Sequence, residues 1–187
     1  MDIETNGFTH NEPIQITAIR YENGKALKNQ YNHFFVPENK FTKSARKVNG
    51  HNKMTLKNLG AEKFTKEDGD KLVEYLNVNK DIPIVAHNVG HDRDKVLKPA
   101  FEKVSNKSLP LDNRWVCTWE MSKEKTDLRA HSLEDVLDFY DLGGRDPKAK
   151  HDAVTDCHLT AKIYMKMMEK PDKKKDGFGF MDKYLKK

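Results

Sequence analysis

The feature that most restricts the fold of this chain is a short apolar segment from Ile82 to Ala86. Its residues, Ile-Pro-Ile-Val-Ala, are rich in β-branched side chains, and such a run is typical of a strand that is buried on both faces. A polar turn from His87 to Asp92 follows at once, and a helical pattern of apolar residues comes after it. A strand, a polar turn and a helix in this order predict an α/β fold that carries functional groups in the turn.

Turn and capping patterns place other elements around this strand. Asn23-Gly24 favours a hairpin between a strand that starts near Ile14 and one from Gln30 to Val36. The polar, basic stretch from Glu38 to Lys57 predicts loop and a short helix. Further predicted elements are a helix from Thr65 to about Asn79, a strand from Trp115 to Thr118, a helix from Ser132 to Gly143-Gly144, and a long helix after His151.

Two carboxylates open the chain. Side chains alternate along a strand, so Asp2 and Glu4 share one face while Ile3 points to the other. Charges roughly 6–7 Å apart on one face repel unless a cation lies between them, and oxygen ligands suit Mg²⁺ or Mn²⁺. Taken alone, such a pair is more often solvated surface than a metal site.

A third acidic group starts the long helix. Asp152 and Asp156 are i and i+4 neighbours, so both could share a face with His151 above them. The alternative is that this group only caps the helix and complements its dipole. The carboxylates are expected to raise the pKa of His151, and bound metals to lower it.

Taken together, these motifs resemble the DEDDh (DnaQ-like) 3′→5′ exonucleases, which include the proofreading subunit of bacterial replicative polymerase. The similarity extends over Met1 to Met168. The residues that carry it are Asp2, Glu4 and Thr5, then His87, Asn88 and Asp92, then His151 and Asp156. The resemblance implies an RNase H-like α/β fold, in which helices flank a mixed five-stranded sheet. Its first strand would be truncated, because only Met1 precedes Asp2.

The resemblance also implies roles for these residues. Asp2, Glu4, Asp92 and Asp156 would hold two Mg²⁺ ions, for which Mn²⁺ could substitute, and His151 would take the proton from the attacking water. The residues expected to bind the terminal nucleotide are Thr5, Asn6, Phe8, His87 and Asn88. His91 stands where the family commonly has phenylalanine, and it is expected to pack at the sheet edge rather than to contact substrate.

The implied activity is the release of nucleoside 5′-monophosphates from single-stranded or frayed DNA 3′ ends. One alternative is a 3′→5′ exoribonuclease or short-RNA processing enzyme with the same site. Another is a catalytically weak nucleic-acid binding or scaffolding module. The motifs contact phosphate rather than the 2′-hydroxyl, so they do not distinguish DNA from RNA.

Charge and composition suit this interpretation. The net charge is +5, and residues 170–187 supply most of it through seven lysines against three aspartates. We therefore expect an exonuclease domain over residues 1–169 and a basic, aromatic tail. The tail could pack back on the domain, dock onto a polymerase or nuclease complex, or stack on nucleic acid. The chain has no long apolar run and no signal pattern, which predicts a cytoplasmic protein with no membrane contact. Cys117 and Cys157 are expected to be buried free thiols.

Overall fold

The computed structural model describes residues 1–169, so the predicted tail of residues 170–187 lies outside it. The strands are β1 (Asp2–Thr5), β2 (Pro13–Glu22), β3 (Lys25–Phe34), β4 (Ile84–Ala86) and β5 (Trp115–Cys117). The helices are α1 (Lys43–Asn49), α2 (Lys53–Asn58), α3 (Lys66–Leu76), α4 (Lys98–Ser105), α5 (Thr118–Lys125), α6 (Leu133–Phe139) and α7 (Ala153–Met168). A π-helical segment, Gly90–Leu97, leads directly into α4.

The strands form two hydrogen-bonded groups, an antiparallel β1–β2–β3 sheet and a parallel β4–β5 pair. This confirms the mixed α/β architecture with five strands. The two groups meet where the Met1 α-amino group donates a hydrogen bond to the Val85 carbonyl at 2.6 Å. Within residues 1–169 the strand ladder does not continue across this boundary.

The hairpin turn is confirmed at Asn23 and Gly24. Both residues have positive φ, 49° and 77°, as a two-residue turn between twisted antiparallel strands requires. Glu22 pairs with Lys25, so β3 begins immediately after the turn rather than at Gln30. The start of β3 was missed because its first residues are exposed and lack an apolar alternation.

The capping patterns located the helix starts better than the ends. Thr65 and Ser132 both form capping boxes, and they begin α3 and α6 as predicted. Both helices end early, α3 at Leu76 and α6 at Phe139, well before Gly143. The stretch predicted as loop and short helix contains two helices, α1 and α2, and α5 was not predicted.

The core consists of two buried clusters, and α7 belongs to the second of them. Ile16 and Ala18 of β2 are buried on one side, and Ile163 of α7 is fully buried beside α6. Cys117 and Cys157 are free thiols, Cys157 being buried and Cys117 partly so. This packing holds the first turn of α7 against β1 and β2. No helix within residues 1–169 has the length and apolar character needed to cross a membrane.

Candidate active site

β1 presents the first two acidic residues as its alternation requires. Ile3 is 6% exposed within the core, and Asp2 and Glu4 project from the opposite face. Asp2 pairs with Thr17 and Glu4 with Gln15 of β2, which fixes the register of both carboxylates. β1 therefore holds the two groups rigidly on one side of the sheet.

Asp92 reaches the same region from the π-helical segment. The polar turn after β4 passes through Asn88, whose φ of 88° reverses the chain, and the Asn88 carbonyl accepts from the His91 and Asp92 N–H groups. The Asp92 side chain is only 4% exposed and accepts a hydrogen bond from the Ile3 backbone. Asp92 is thus fixed directly to β1.

The start of α7 supplies Asp156 and His151. Asp156 is 5% exposed, and its Oδ2 lies 3.6 Å from Nδ1 of His151. Asp152 has a structural role at the start of this helix. It is the N-cap of α7, accepts from the Thr155 N–H, and also accepts from Nε2 of Gln15 at 2.9 Å. The capping interpretation is therefore correct for Asp152 but not for Asp156.

The carboxylates form one electrostatic group. Burial, and next the charges of neighbouring carboxylates, raise the pKa of Asp2 well above its ordinary value. Burial raises the pKa of Glu4 and of Asp92 to about 7 each. Burial also raises the pKa of Asp156 to about 6, although the Arg145 guanidinium opposes this. Desolvated carboxylates held this close together are a donor set for divalent cations.

Three residues of this group are placed so that together they could bind one metal ion. Glu4, His151 and Asp156 each offer a ligand atom, and these atoms all lie within 4.8 Å of one another. Asp2 and Asp92 lie near them, since the charges of Asp92, Asp156 and Glu4 all act on Asp2. The predicted metal and catalytic residues therefore come together, although they come from three separate parts of the chain.

Arg145 is a site residue that the sequence did not reveal. Its Nη2 lies 2.6 Å from Oδ1 of Asp156 and 3.1 Å from Oε1 of Glu134, and its side chain is only 7% exposed. It belongs to the loop between α6 and α7, which has no helical or strand periodicity. No local pattern could have shown that this loop turns back to the acidic group.

Arg145 also changes the electrostatics of His151. Burial, and next the Arg145 charge, lower the pKa of His151 below its ordinary value. The prediction that Asp152 and Asp156 would raise it was therefore wrong. The Asp152 carboxylate is occupied by capping, and the guanidinium counteracts Asp156.

The predicted nucleotide-binding residues differ in accessibility. Phe8 is 80% exposed, and its ring meets His91 edge-on with 5.6 Å between centroids. Asn6 is 1% exposed, and its side chain exchanges two hydrogen bonds with Glu12, at 3.0 Å each. Thr5 accepts from the Gly7 N–H through its Oγ1. Phe8 is the member of this set that offers a free ring face.

Two hydrogen-bond contacts of His87 fix the polar turn that follows β4. Nδ1 of His87 lies 2.9 Å from the Thr118 hydroxyl, and its Nε2 lies 3.0 Å from the His131 carbonyl. His87 therefore fixes the turn that carries Asn88. A further unpredicted residue, Asn49 of α1, is 4% exposed and donates from Nδ2 to the Thr5 carbonyl at 3.1 Å, so it anchors the end of β1.

Curated proteins with similar sequences are polymerases. The PolC-type DNA polymerase III of Thermotoga maritima is 26% identical over 171 residues, and that of Caldanaerobacter subterraneus subsp. tengcongensis is 26% identical over 172 residues. Each alignment covers 90% of this chain but only 12% and 11% of the relative. The chain thus spans a small part of the length of these proteins.

Solved structures share the fold. Exonuclease X in complex with 5′ overhanging duplex DNA superposes with a TM-score of 0.64 at 18% identity, covering 89% of this chain and 88% of that one. Product-bound exonuclease I gives 0.67 at 16% identity, covering 88% of this chain and 41% of that one. The RNase H-like α/β fold is therefore confirmed.

The family model described as Exonuclease (RNase_T) matches residues 1–164 of the 187-residue chain. This match includes β1, the π-helical segment and the start of α7, and hence every predicted acidic residue. The protein therefore belongs to the exonuclease family and is a nuclease of the DEDDh, DnaQ-like type.

Proposed function

We propose that this protein is a divalent-metal-dependent 3′→5′ exonuclease that releases nucleoside 5′-monophosphates from single-stranded or frayed DNA ends. The observation that supports this most is the buried group of four carboxylates beside a partly accessible histidine. Asp92 and Asp156 are 4% and 5% exposed, whereas the His151 side chain is 41% exposed. The carboxylates are thus placed for metal ions and the imidazole for solvent and substrate.

Asp2, Glu4, Asp92 and Asp156 would hold two Mg²⁺ ions, and Mn²⁺ would substitute. When bound, the ions would neutralise charge on the scissile phosphate, help to activate water and stabilise the leaving 3′-oxygen. The chain itself supplies rigid carboxylates. They are fixed by the β1–β2 register and by the hydrogen bond from the Ile3 backbone to Asp92.

His151 would act as the general base. Its lowered pKa keeps the imidazole neutral at pH 7, so that it can accept a proton from the attacking water. The nearby Asp156 carboxylate, 3.6 Å from Nδ1, would stabilise the imidazolium that results. Burial of the rest of the group limits access of bulk water to the reacting centre.

Phe8 and α1 would hold the nucleic acid. The exposed Phe8 ring can stack on the terminal base. Lys43, Arg46 and Lys47 of α1 are exposed and have no ion pair among residues 1–169. The Thr42 N–H just before α1 donates to the Asn6 carbonyl, which places this basic helix beside the nucleotide-binding turn.

The comparisons favour DNA over RNA as substrate. One structural neighbour was solved with duplex DNA, and the sequence relatives are named as DNA polymerases. Because the sequence relatives are named as polymerases, we also propose a protein partner for this chain. It would be a polymerase or nuclease complex, and residues 170–187 would contact it.

A time course on 3′- and 5′-labelled single-stranded DNA and RNA of one sequence tests the proposal, with Mg²⁺, Mn²⁺ or EDTA present. We expect metal-dependent shortening from the 3′ end, faster on DNA. Faster cleavage of RNA would indicate the exoribonuclease alternative, and binding without cleavage by either metal would indicate the scaffolding alternative.

Two variants test the role of His151. His151→Ala should lower kcat at least about 100-fold with little change in KM, because a general base acts in the transition state. His33→Ala, at an exposed position of β3, is the matched control and should cleave normally. Equal activity of the two variants would refute the assignment.

A further inference from the structure

The Arg145 guanidinium lies within the group where a divalent cation is expected. Its Nη2 is 2.6 Å from Oδ1 of Asp156 and 3.1 Å from Oε1 of Glu134. Its charge also acts on Glu4 and on His151, since it lowers the pKa of both. Those two residues and Asp156 are the three whose ligand atoms lie within 4.8 Å of one another.

The hydrogen bonding of the Arg145 guanidinium is incomplete within residues 1–169. The side chain is 7% exposed, yet Nε is buried with no hydrogen-bond partner among residues 1–169. A buried donor without a partner is costly, so this position of the guanidinium is less stable than its two ion pairs suggest. One positive charge also neutralises only part of a group that contains Asp2, Glu4 and Asp92 as well as Asp156.

Glu134 is a second carboxylate partner for the Arg145 guanidinium. It lies in the first turn of α6, its side chain is 47% exposed, and it is outside the predicted metal ligands. Arg145 can therefore keep its contact with Glu134 while it gives up Asp156. Asp156 cannot serve Arg145 and a cation equally, because its Oδ2 faces His151 and its Oδ1 faces the guanidinium.

We propose that Arg145 is a displaceable counter-ion of the active site, which pairs with Asp156 in the metal-free protein and is displaced toward Glu134 when a divalent cation binds. The inference rests on the metal site of the proposed function. Arg145 is thus a positioning residue: it keeps Asp156 in place before loading, and it lowers the affinity of the site for metal by direct competition.

Calorimetric titration with Mn²⁺ alone tests the competition without any nuclease assay. Arg145→Gln should bind Mn²⁺ at least about tenfold more tightly than the parent, because the competing charge-assisted hydrogen bond is gone. Arg114→Gln is the control. It removes the same charge at an exposed position before β5, at the far end of that strand from the polar turn, and should change the affinity less than about twofold.

Glu134 gives the test a second arm. Glu134→Gln should weaken Mn²⁺ binding, because Arg145 then has Asp156 as its remaining carboxylate partner. In the Arg145→Gln background the same change should have at most a small effect, since no guanidinium is left to redirect. An undiminished effect of Glu134→Gln in that background would overturn the proposed route through Arg145.

The conservative variant guards against misfolding. If Arg145→Gln does not fold, Arg145→Lys can be titrated instead. The lysine side chain is shorter and keeps the positive charge, but its single ammonium group cannot bridge the carboxylates of Asp156 and Glu134. We expect its Mn²⁺ affinity to lie between those of the parent and a neutral variant, and an affinity equal to that of the parent would overturn the proposal.

A crystal structure with Mn²⁺ decides the geometry. The Nη2–Oδ1 contact to Asp156 should be lost and the contact to Glu134 kept, and retention of both contacts would refute displacement. Failure of the parent to bind Mn²⁺ at all would instead count against the proposed function, so the two failures are distinguishable.

Discussion

Replacing Asp92 by asparagine should stabilise the metal-free protein at alkaline pH. The Asp92 side chain is 4% exposed, and burial raises its pKa from about 3.8 to about 7. The folded state therefore binds this proton more tightly than the unfolded state. The resulting contribution to stability is complete below the unfolded pKa and is lost as the pH rises through the folded value.

The magnitude follows from the shift. Between pH 5 and pH 8 about two pKa units of the shift are crossed, and at about 1.4 kcal/mol per unit the contribution of Asp92 to the free energy of unfolding should fall by ~3 kcal/mol. Asp92→Asn keeps the shape of the side chain, and its carbonyl can still accept from the Ile3 backbone. It should remove the Asp92 share of the dependence, so its stability relative to the parent should be ~3 kcal/mol higher at pH 8 than at pH 5.

Urea unfolding in EDTA at pH 5 and pH 8 measures both effects. Asp94→Asn is the matched control two residues away. Asp94 is partly exposed, and Arg93 and Lys98 lower its pKa to about 2, so its neutral variant should gain no stability at pH 8. A parent protein that is equally stable at both pH values, or an Asp92→Asn variant with an unchanged pH dependence, would refute the reasoning.

Three further predictions follow from the same site. Saturating Mg²⁺ at pH 8 should raise the melting temperature of the parent, and EDTA should reverse the rise. Asp156→Asn should show a much smaller rise with Mg²⁺, and a rise equal to that of the parent would exclude Asp156 as a ligand. Phe8→Ala should raise KM for a single-stranded end about tenfold by loss of stacking, with unchanged thermal stability because Phe8 is 80% exposed; an unchanged KM would remove Phe8 from the substrate site. Asn49→Ala should cost about 1–3 kcal/mol in urea unfolding, because it leaves the partly buried Thr5 carbonyl without its amide donor. A variant as stable as the parent would show that water replaces the amide.

The sequence predicted those parts of the site that depend on local pattern. Strand alternation placed Asp2 and Glu4 on one face, and the strand-turn-helix order placed Asp92 shortly after the end of β4. Capping boxes marked Thr65 and Ser132 because both partners of a box lie within four residues. Such signals are complete within a few consecutive residues.

The missed features depend on contacts between distant segments. Arg145 meets Asp156 from an irregular loop, and Asn49 meets Thr5 across 44 positions. The pKa direction of His151 was wrong for the same reason, since Arg145 was not expected nearby. No periodicity or cap encodes a loop that folds back, so tertiary packing alone decides which side chains complete the acidic group.

The Gly90–Leu97 segment has the wide turns of a π-helix. The number of residues in this segment therefore helps to determine where the Asp92 side chain lies. The Lys98 N–H bonds to the Arg93 carbonyl, five residues back, and Pro99 next to it has no N–H to restore a regular α-helical pattern. Deleting one residue between Asp92 and α4 would turn the Asp92 side chain by about 100° relative to α4. Insertions and deletions here should therefore be as damaging as the loss of a carboxylate, even where every motif residue is retained.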